Sequence, residues 1–359
     1  MTVVLYAADI SHLELTPAEY AAFIRSPGVD EQIAGAPRTA LVVVRGDATD
    51  IPVVLPSTGQ GGPPGSLPVV LPSTGPGGPT PGSLPVVVCW VGEQFGGRGP
   101  QYADVVVGES DVAELAAQVD QAQIAAGTLA VLLRAQPDLG VDSGLAAESA
   151  AYSVLQSGPE FAAWRQGASH RPGDARDRVV LIERDGGRLV VTLDRPDRHN
   201  AVSMQLRDEL HEALQLAAFD DSIATVELRG NGPSFCSGGD LGEFGDRPDP
   251  ATAHVTRLAR SPARLLAALS TRTTAYIHGA TMGGGIEMTA FAARVVADPD
   301  TRIALPEIGL GLIPGAGGTV SLTRRIGRQR TAALALTGRQ IDAGLALEWG
   351  LVDEVTPVS

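Results

Sequence analysis

The sequence predicts an α/β fold, and three observations carry the prediction. From Val179 onward, short runs of branched apolar residues alternate with stretches of helical spacing. Glycine-rich turns close three of those runs, at 235–240, 278–287 and 305–318. Aromatic residues make up only 4% of the chain, so the core must rest on Val, Leu, Ile and Ala.

Taken in order, residues 39–45 and 84–90 read as buried strands, because they are continuous apolar runs rich in valine. Residues 110–126 and 143–165 carry helical spacing. Residues 171–178 are charged and hold the breakers Pro172 and Gly173, which makes them a linker between units at 1–170 and 179–359. Beyond it come a strand at 189–193, an amphipathic helix at 204–217, a strand at 223–228 and a helix at 255–269. A strand at 274–277 then runs straight into a triple glycine, with a helix following. That order places ligand-binding turns at strand ends.

One stretch fits neither element. Pro52-Val-Val-Leu-Pro-Ser-Thr-Gly59 recurs as Pro68-Val-Val-Leu-Pro-Ser-Thr-Gly75 within a Pro- and Gly-rich segment, and 56–84 is expected to be an extended surface loop. Leu55-Pro-Ser-Thr-Gly59 matches the L-P-x-T-G sorting pattern, but without the hydrophobic tail and basic end that signal works beside; the repeat reads as a duplication.

At 359 residues the chain can hold two domains, and 44% hydrophobic with 19% charged residues is ordinary for a globular protein. A net charge of −14 argues against nucleic acid as partner, since phosphate binding needs a basic face. No run approaches the ~20 apolar residues of a membrane helix, and the first residues lack a basic n-region. With only Cys89 and Cys236, a disulfide framework is not expected, and a cytoplasmic location is. Two cysteines and six dispersed histidines give no metal-ligand cluster, and no Gly-Lys-Ser/Thr marks a phosphate loop.

Chemistry concentrates at two glutamates. Glu287 follows the triple glycine, and Glu307 precedes the turn that ends in Gly315-Ala-Gly-Gly318. Bare backbone amides can bind a developing oxyanion, and two carboxylates can handle a water molecule; together they suggest acid/base chemistry on a carbonyl compound. The plain alternatives are tight turns and a glutamate that only offsets a helix dipole. Asp240, His199 and His278 read as structural.

At these residues the chain resembles the crotonase superfamily, the enoyl-CoA hydratase/isomerase family. The resemblance covers about half of the chain, 179–355. It rests on Leu193-Asp-Arg-Pro-Asp-Arg-His-Asn-Ala201, Ser234-Phe-Cys-Ser-Gly-Gly-Asp-Leu241, the triple-glycine turn with Glu287, Pro306-Glu307 through Gly318, and 343–355. It implies a spiral of stacked ββα/βαβ turns binding an acyl-CoA thioester, with no cofactor apart from the coenzyme A of the substrate. It implies an oxyanion hole from the amides of Gly239 and Gly284, Glu287 and Glu307 as catalytic acids and bases, water positioned at Gly315, and CoA contacts from Arg195 and Arg198. Both glutamates together favour a hydro-lyase that hydrates a 2-enoyl-CoA. The alternatives are isomerisation, thioester hydrolysis, cofactor-independent oxygenation, or a catalytically silent acyl-CoA-binding subunit of a hetero-oligomer. A homo-oligomer, trimeric or hexameric, follows by the same analogy.

The sequence departs from the family at its end. Members continue through helices that cover the acyl pocket, whereas this sequence ends at Ser359, and a tail-like segment at 143–165 precedes the core instead. Leu145, Ser149, Tyr152 and Leu155 form its stripe, and the segment is expected to dock over the acyl site. Residues 1–170 read as a degenerate crotonase-like unit, with Gly96-Gly-Arg-Gly99 in place of the triple glycine and Gln94 and Tyr102 where acids would stand; Glu93 and Glu109 are its only candidates.

Overall fold

Valine runs and glycine turns organise three sheets, with one large core and a smaller one under the first helix on the outer face of the N-terminal sheet. A computed structural model describes residues 12–24, 41–46, 82, 84–168, 176–244 and 249–358. The repeat loop and the linker therefore fall largely outside the described residues.

The N-terminal sheet pairs β1 (Leu13–Leu15), β2 (Leu41–Val44), β3 (Val87–Val91) and β4 (Val105–Val107) in that order, all parallel. Strands β2, β3 and β4 are apolar on both sides because both faces are covered. On one face lies α1 (Pro17–Ile24), whose Tyr20 stacks on Tyr102 at 4.9 Å between ring centres. On the other lie α2 (Val112–Gln121) and α3 (Gln123–Ala135).

The continuous helix expected at 110–126 is divided at Ala122, which leaves helical geometry. The side chain of Glu160 supplies the reason. Its two oxygens accept from Ile124 N at 2.7 Å and Ala125 N at 3.0 Å, capping α3 from outside. Two more helices follow, α4 (Val141–Gln156) and α5 (Pro159–Gly167). Gly158-Pro159 separates them as the sequence predicts, because proline suits the first helical position and cannot sit inside a helix.

The core sheet orders its strands β13-β10-β8-β7-β6-β5. These are β5 (Val180–Asp185), β6 (Arg188–Leu193), β7 (Thr225–Gly230), β8 (Thr273–Ile277), β10 (Arg294–Ala297) and β13 (Glu354–Val355). All pairs are parallel except the β5–β6 hairpin. A second sheet joins β9 (Ala280–Met282), β11 (Arg302–Ala304) and β12 (Ile341–Asp342). The chain steps from β8 to β9 and from β10 to β11, so the two sheets turn together as one spiral.

Helix α6 (Met204–Phe219) starts where Ser203 Oγ accepts from Leu206 N, and it buries Leu206, Leu210 and Leu214 on the sheet. The helix expected over 255–269 is two, α7 (Pro250–Ala259) and α8 (Pro262–Ala268). Ser261 caps the second and Pro262 opens it, so the periodic pattern runs across a break that the residues themselves encode. Short α9 (Gly284–Thr289), then α10 (Gly318–Ile326), α11 (Arg328–Thr337) and α12 (Ala343–Trp349) complete the core.

The N-terminal sheet is fastened to this core through charge as well as apolar contact. Asp104, buried beside β4, accepts from Arg134 Nε at 2.8 Å and Arg328 Nη1 at 3.3 Å, and also from Val88 N. A buried carboxylate so fully hydrogen-bonded fixes how α3, β3 and α11 sit together.

Candidate active site

A cavity of about 230 Å³ opens between α4, α7, α8 and the start of α9. It is lined by Gly239, Gly284, Glu287, Glu307 and Gly315, so all five residues assigned to reaction chemistry from the sequence converge there. Each arrives at the end of a strand or turn. Strand β9 leads into Gly283, whose φ of +45° turns the chain into α9. Strand β11 leads into the tight turn at Pro306–Leu310 that carries Glu307.

Two cavity-lining residues have amides without an acceptor among the described residues. Among the described residues, Asp240 N is taken by Val202 O and Gly283 N by Ala304 O, whereas Gly239 N and Gly284 N have no acceptor in the protein. Glycine is required at 283, where a Cβ would lie 2.2 Å from Glu307 Oε1. It is required equally at 318, where a Cβ would lie 2.5 Å from Glu287 Cγ. The glycines make room for the carboxylates.

The two glutamates are held differently. Glu287 is only 1% exposed, and its Oε2 accepts from Ala316 N at 2.7 Å and Gly318 N at 2.9 Å. That leaves Oε1 for the cavity. Glu307 Oε2 is buried with no hydrogen-bond partner among the described residues. Burial pushes Glu307 up to about 7, and burial together with the neighbouring Glu307 pushes Glu287 well above the usual carboxylate range. Two such groups in one cavity titrate as a pair.

Residues 183–359 match the family model described as enoyl-CoA hydratase/isomerase. The 2,3-dehydroadipyl-CoA hydratase of Escherichia coli is 36% identical over 178 residues, 50% of this chain and 69% of that protein. The chain belongs to the enoyl-CoA hydratase/isomerase family. Other relatives include an enoyl-CoA isomerase/hydratase of Mycosarcoma maydis, 36% identical over 47% of this chain and 65% of its own length. The mevalonyl-coenzyme A hydratase of Beauveria bassiana is 34% identical over 47% of this chain and 63% of its own length. Membership makes the chain an acyl-CoA-processing, hydratase-like enzyme of α/β crotonase type. Among the described residues, no helix is long and apolar enough to cross a membrane.

The enoyl-CoA hydratase/isomerase core puts one expected residue elsewhere. Arg195 is 1% exposed, not a solvent-facing CoA contact. Its guanidinium bonds Asp240 Oδ2 at 2.9 Å and the Ala201 carbonyl, inside the protein. That pair fixes the turn bearing Gly239, and Asp240 has the structural role read for it. Arg198 lies half-buried on the same turn and does not line the cavity.

The tail-like segment docks where it was expected, over the site. Tyr152 of α4 packs against Gly315, where a Cβ would come within 2.4 Å of the ring. Leu145, Tyr152 and Leu155 are buried, and each buried leucine contributes about 1.5–3 kcal/mol. Two cavity-lining groups escaped the sequence reading. Arg257 of α7 lies 4.8 Å from the Tyr152 ring centre and donates to Ser149 and Ser153. Glu148, at 2% exposure, contributes a third carboxylate. The signal for Glu148 was present: an acid three residues after Leu145 and four before Tyr152, on a stripe that should be apolar.

Proposed function

We propose that this enzyme adds water across the double bond of a 2-enoyl-CoA. One observation carries the reading: Glu287, with one oxygen held by two amides, and Glu307, with a buried Oε2 that no donor reaches among the described residues, line the same cavity as Gly239 and Gly284. The thioester oxygen is received by Gly239 N and Gly284 N, whose dipoles are already in place when the enolate charge forms. Glu287, whose anionic form two amides stabilise, takes a proton from water as the oxygen attacks Cβ. Glu307, whose Oε2 has no donor to stabilise the anion, holds the shared proton and gives it to Cα. One O–H bond of water and the C=C π bond break, one C–O and one C–H form, and the proton left on Glu287 passes back to Glu307.

Sharing one proton is the low-energy state of two buried carboxylates, and the hydrogen bonds decide where it sits. Coenzyme A enters as part of the substrate, and no other cofactor has a role in these steps. Helix α4 supplies cover for the cavity, which favours an active enzyme over a silent acyl-CoA-binding subunit.

The test is steady-state turnover of crotonyl-CoA and longer or aromatic 2-enoyl-CoAs, with product mass. A gain of one water is expected. Glu307→Gln and Glu287→Gln should each lower kcat by about 10²–10⁴-fold while CoA-thioester binding persists. A folded protein that turns over none of them, or a product of unchanged mass, would sink the hydratase reading; unchanged mass would favour isomerisation.

A further inference from the structure

Glu148 has no role in the reaction as written, yet it is placed with care. It projects from α4, a helix outside the matched segment 183–359, onto the turn that grips Glu287. Its Oε1 accepts from Gly317 N at 2.7 Å. Its Oε2 accepts from Thr319 N at 2.9 Å and Thr319 Oγ1 at 2.7 Å. Thr319 Oγ1 accepts in turn from Gln136 Nε2 at 2.9 Å, so the hydroxyl donates once and accepts once. Glu287 Oε2 holds the alternate amides, Ala316 N and Gly318 N. Four successive amides are thus dealt in turn to two carboxylates.

An ordinary helix cap would need one acceptor at the start of α10. Here the turn is clamped from both sides, and each clamp constrains the other. If Gly317 and Thr319 swing away, Ala316 and Gly318 move with them, because they are the same stretch of backbone. We propose that Glu148 is a positioning residue: by holding Gly317 and Thr319 it keeps Ala316 and Gly318 on one oxygen of Glu287, so that the other oxygen alone meets the substrate. The chemistry this serves is the hydration proposed above; the clamp itself is a matter of geometry.

Glu148 faces Glu287 and Glu307 across the cavity, Arg257 on α7, and Tyr152 on its own helix. Its negative charge raises both Glu287 and Glu307. Removing that charge moves both of them down.

The experiment is Glu148→Gln in the full chain, which replaces one accepting oxygen by an amide nitrogen facing N–H donors. The expected result is a kcat lower by on the order of 10- to 100-fold with KM little changed, and both limbs of the pH–rate profile displaced to lower pH. Glu148→Asp keeps the charge and shortens the reach, so kcat should fall with the limbs in place. A crystal structure of Glu148→Gln should show Ala316 and Gly318 displaced from Glu287. Unmoved limbs in Glu148→Gln, or amides that keep their places, overturn the inference. Should the wild-type chain hydrate no enoyl-CoA, the reading of function fails alone, and the crystal structure still decides the clamp.

Discussion

In the core, a Cβ at Gly283 would meet Glu307 Oε1 at 2.2 Å; in the N-terminal sheet, a Cβ at Gly96 would meet the Trp349 ring at 2.1 Å. Both glycines have positive φ, +45° and +64°, and both belong to glycine-rich turns after a parallel strand. One makes room for a carboxylate and the other for an indole belonging to α12. The neighbouring Gly99 continues the second pattern, with Val106 and Trp90 against it. A glycine-rich turn therefore states only that something must come close. What comes close decides whether the turn is a site or a joint, and in the N-terminal sheet it is a joint with the core.

The largest effect should separate these two uses. Gly283→Ala drives a methyl into Glu307, so kcat should drop by about 100-fold or more, since misplacing a catalytic group by ~1 Å costs that much. Gly96→Ala drives a methyl into Trp349, where overpacking typically costs about 1–3 kcal/mol of stability. Its folded fraction should retain normal turnover. Enzyme kinetics and urea unfolding on both variants would check this. The comparison breaks if Gly96→Ala loses activity without losing stability.

This contrast also marks how far the sequence could be read. Glu287, Glu307 and their glycines are legible because each acid lies within a few residues of its turn. The clamp was not, because Glu148 and Gly317 are 169 residues apart: an acid on an apolar stripe marks its own burial but not its partner. Arg195 misled for a related reason: its partner Asp240 lies 45 residues away, and a basic turn without a visible partner reads as exposed. Local patterns gave β2, β3, β6, β7 and β8, but not the remaining strands, among them β9, which stands between β8 and the triple glycine; they also missed the breaks at Ala122 and Ser261. The first is produced by a distant glutamate. The second was written in Ser261-Pro262 and overridden by apolar periodicity.

The two regions should also respond to pH with opposite sign. In the core, burial lifts Glu148 and Glu307 from the usual 4.5 to about 7. The folded protein then holds protons that the unfolded chain releases, so their contribution is fully present below about 4.5 and is lost as pH rises through about 7. The shift corresponds to on the order of 3 kcal/mol per group before coupling. In the N-terminal sheet, Glu14 is held below its usual value by hydrogen bonds from His12 and Arg45, and Glu109 by one from Arg45. Their contribution is present above the usual value and fades as pH falls. Urea unfolding of Glu307→Gln between pH 5 and 8 should show a shallower loss of stability than the wild type. An identical slope would remove Glu307 from the account.

The smallest effect belongs to the one acid of the N-terminal unit that the sequence left open as catalytic and the structure ties to a partner. Glu109 accepts from Arg45 Nη2 at 2.9 Å and Nε at 3.2 Å, and Arg45 is shared with Glu14 at 2.8 Å. The carboxylate is exposed, lines no cavity with Glu287 or Glu307, and its charge is screened by solvent. Glu109→Gln should therefore leave kcat and KM at wild-type values and barely move the melting temperature, less still at high salt. Kinetics and a thermal melt at two ionic strengths would check it. A clear loss of turnover in a protein of normal stability would mean that the N-terminal sheet carries chemistry of its own, and the distinction between site and joint would have to be withdrawn.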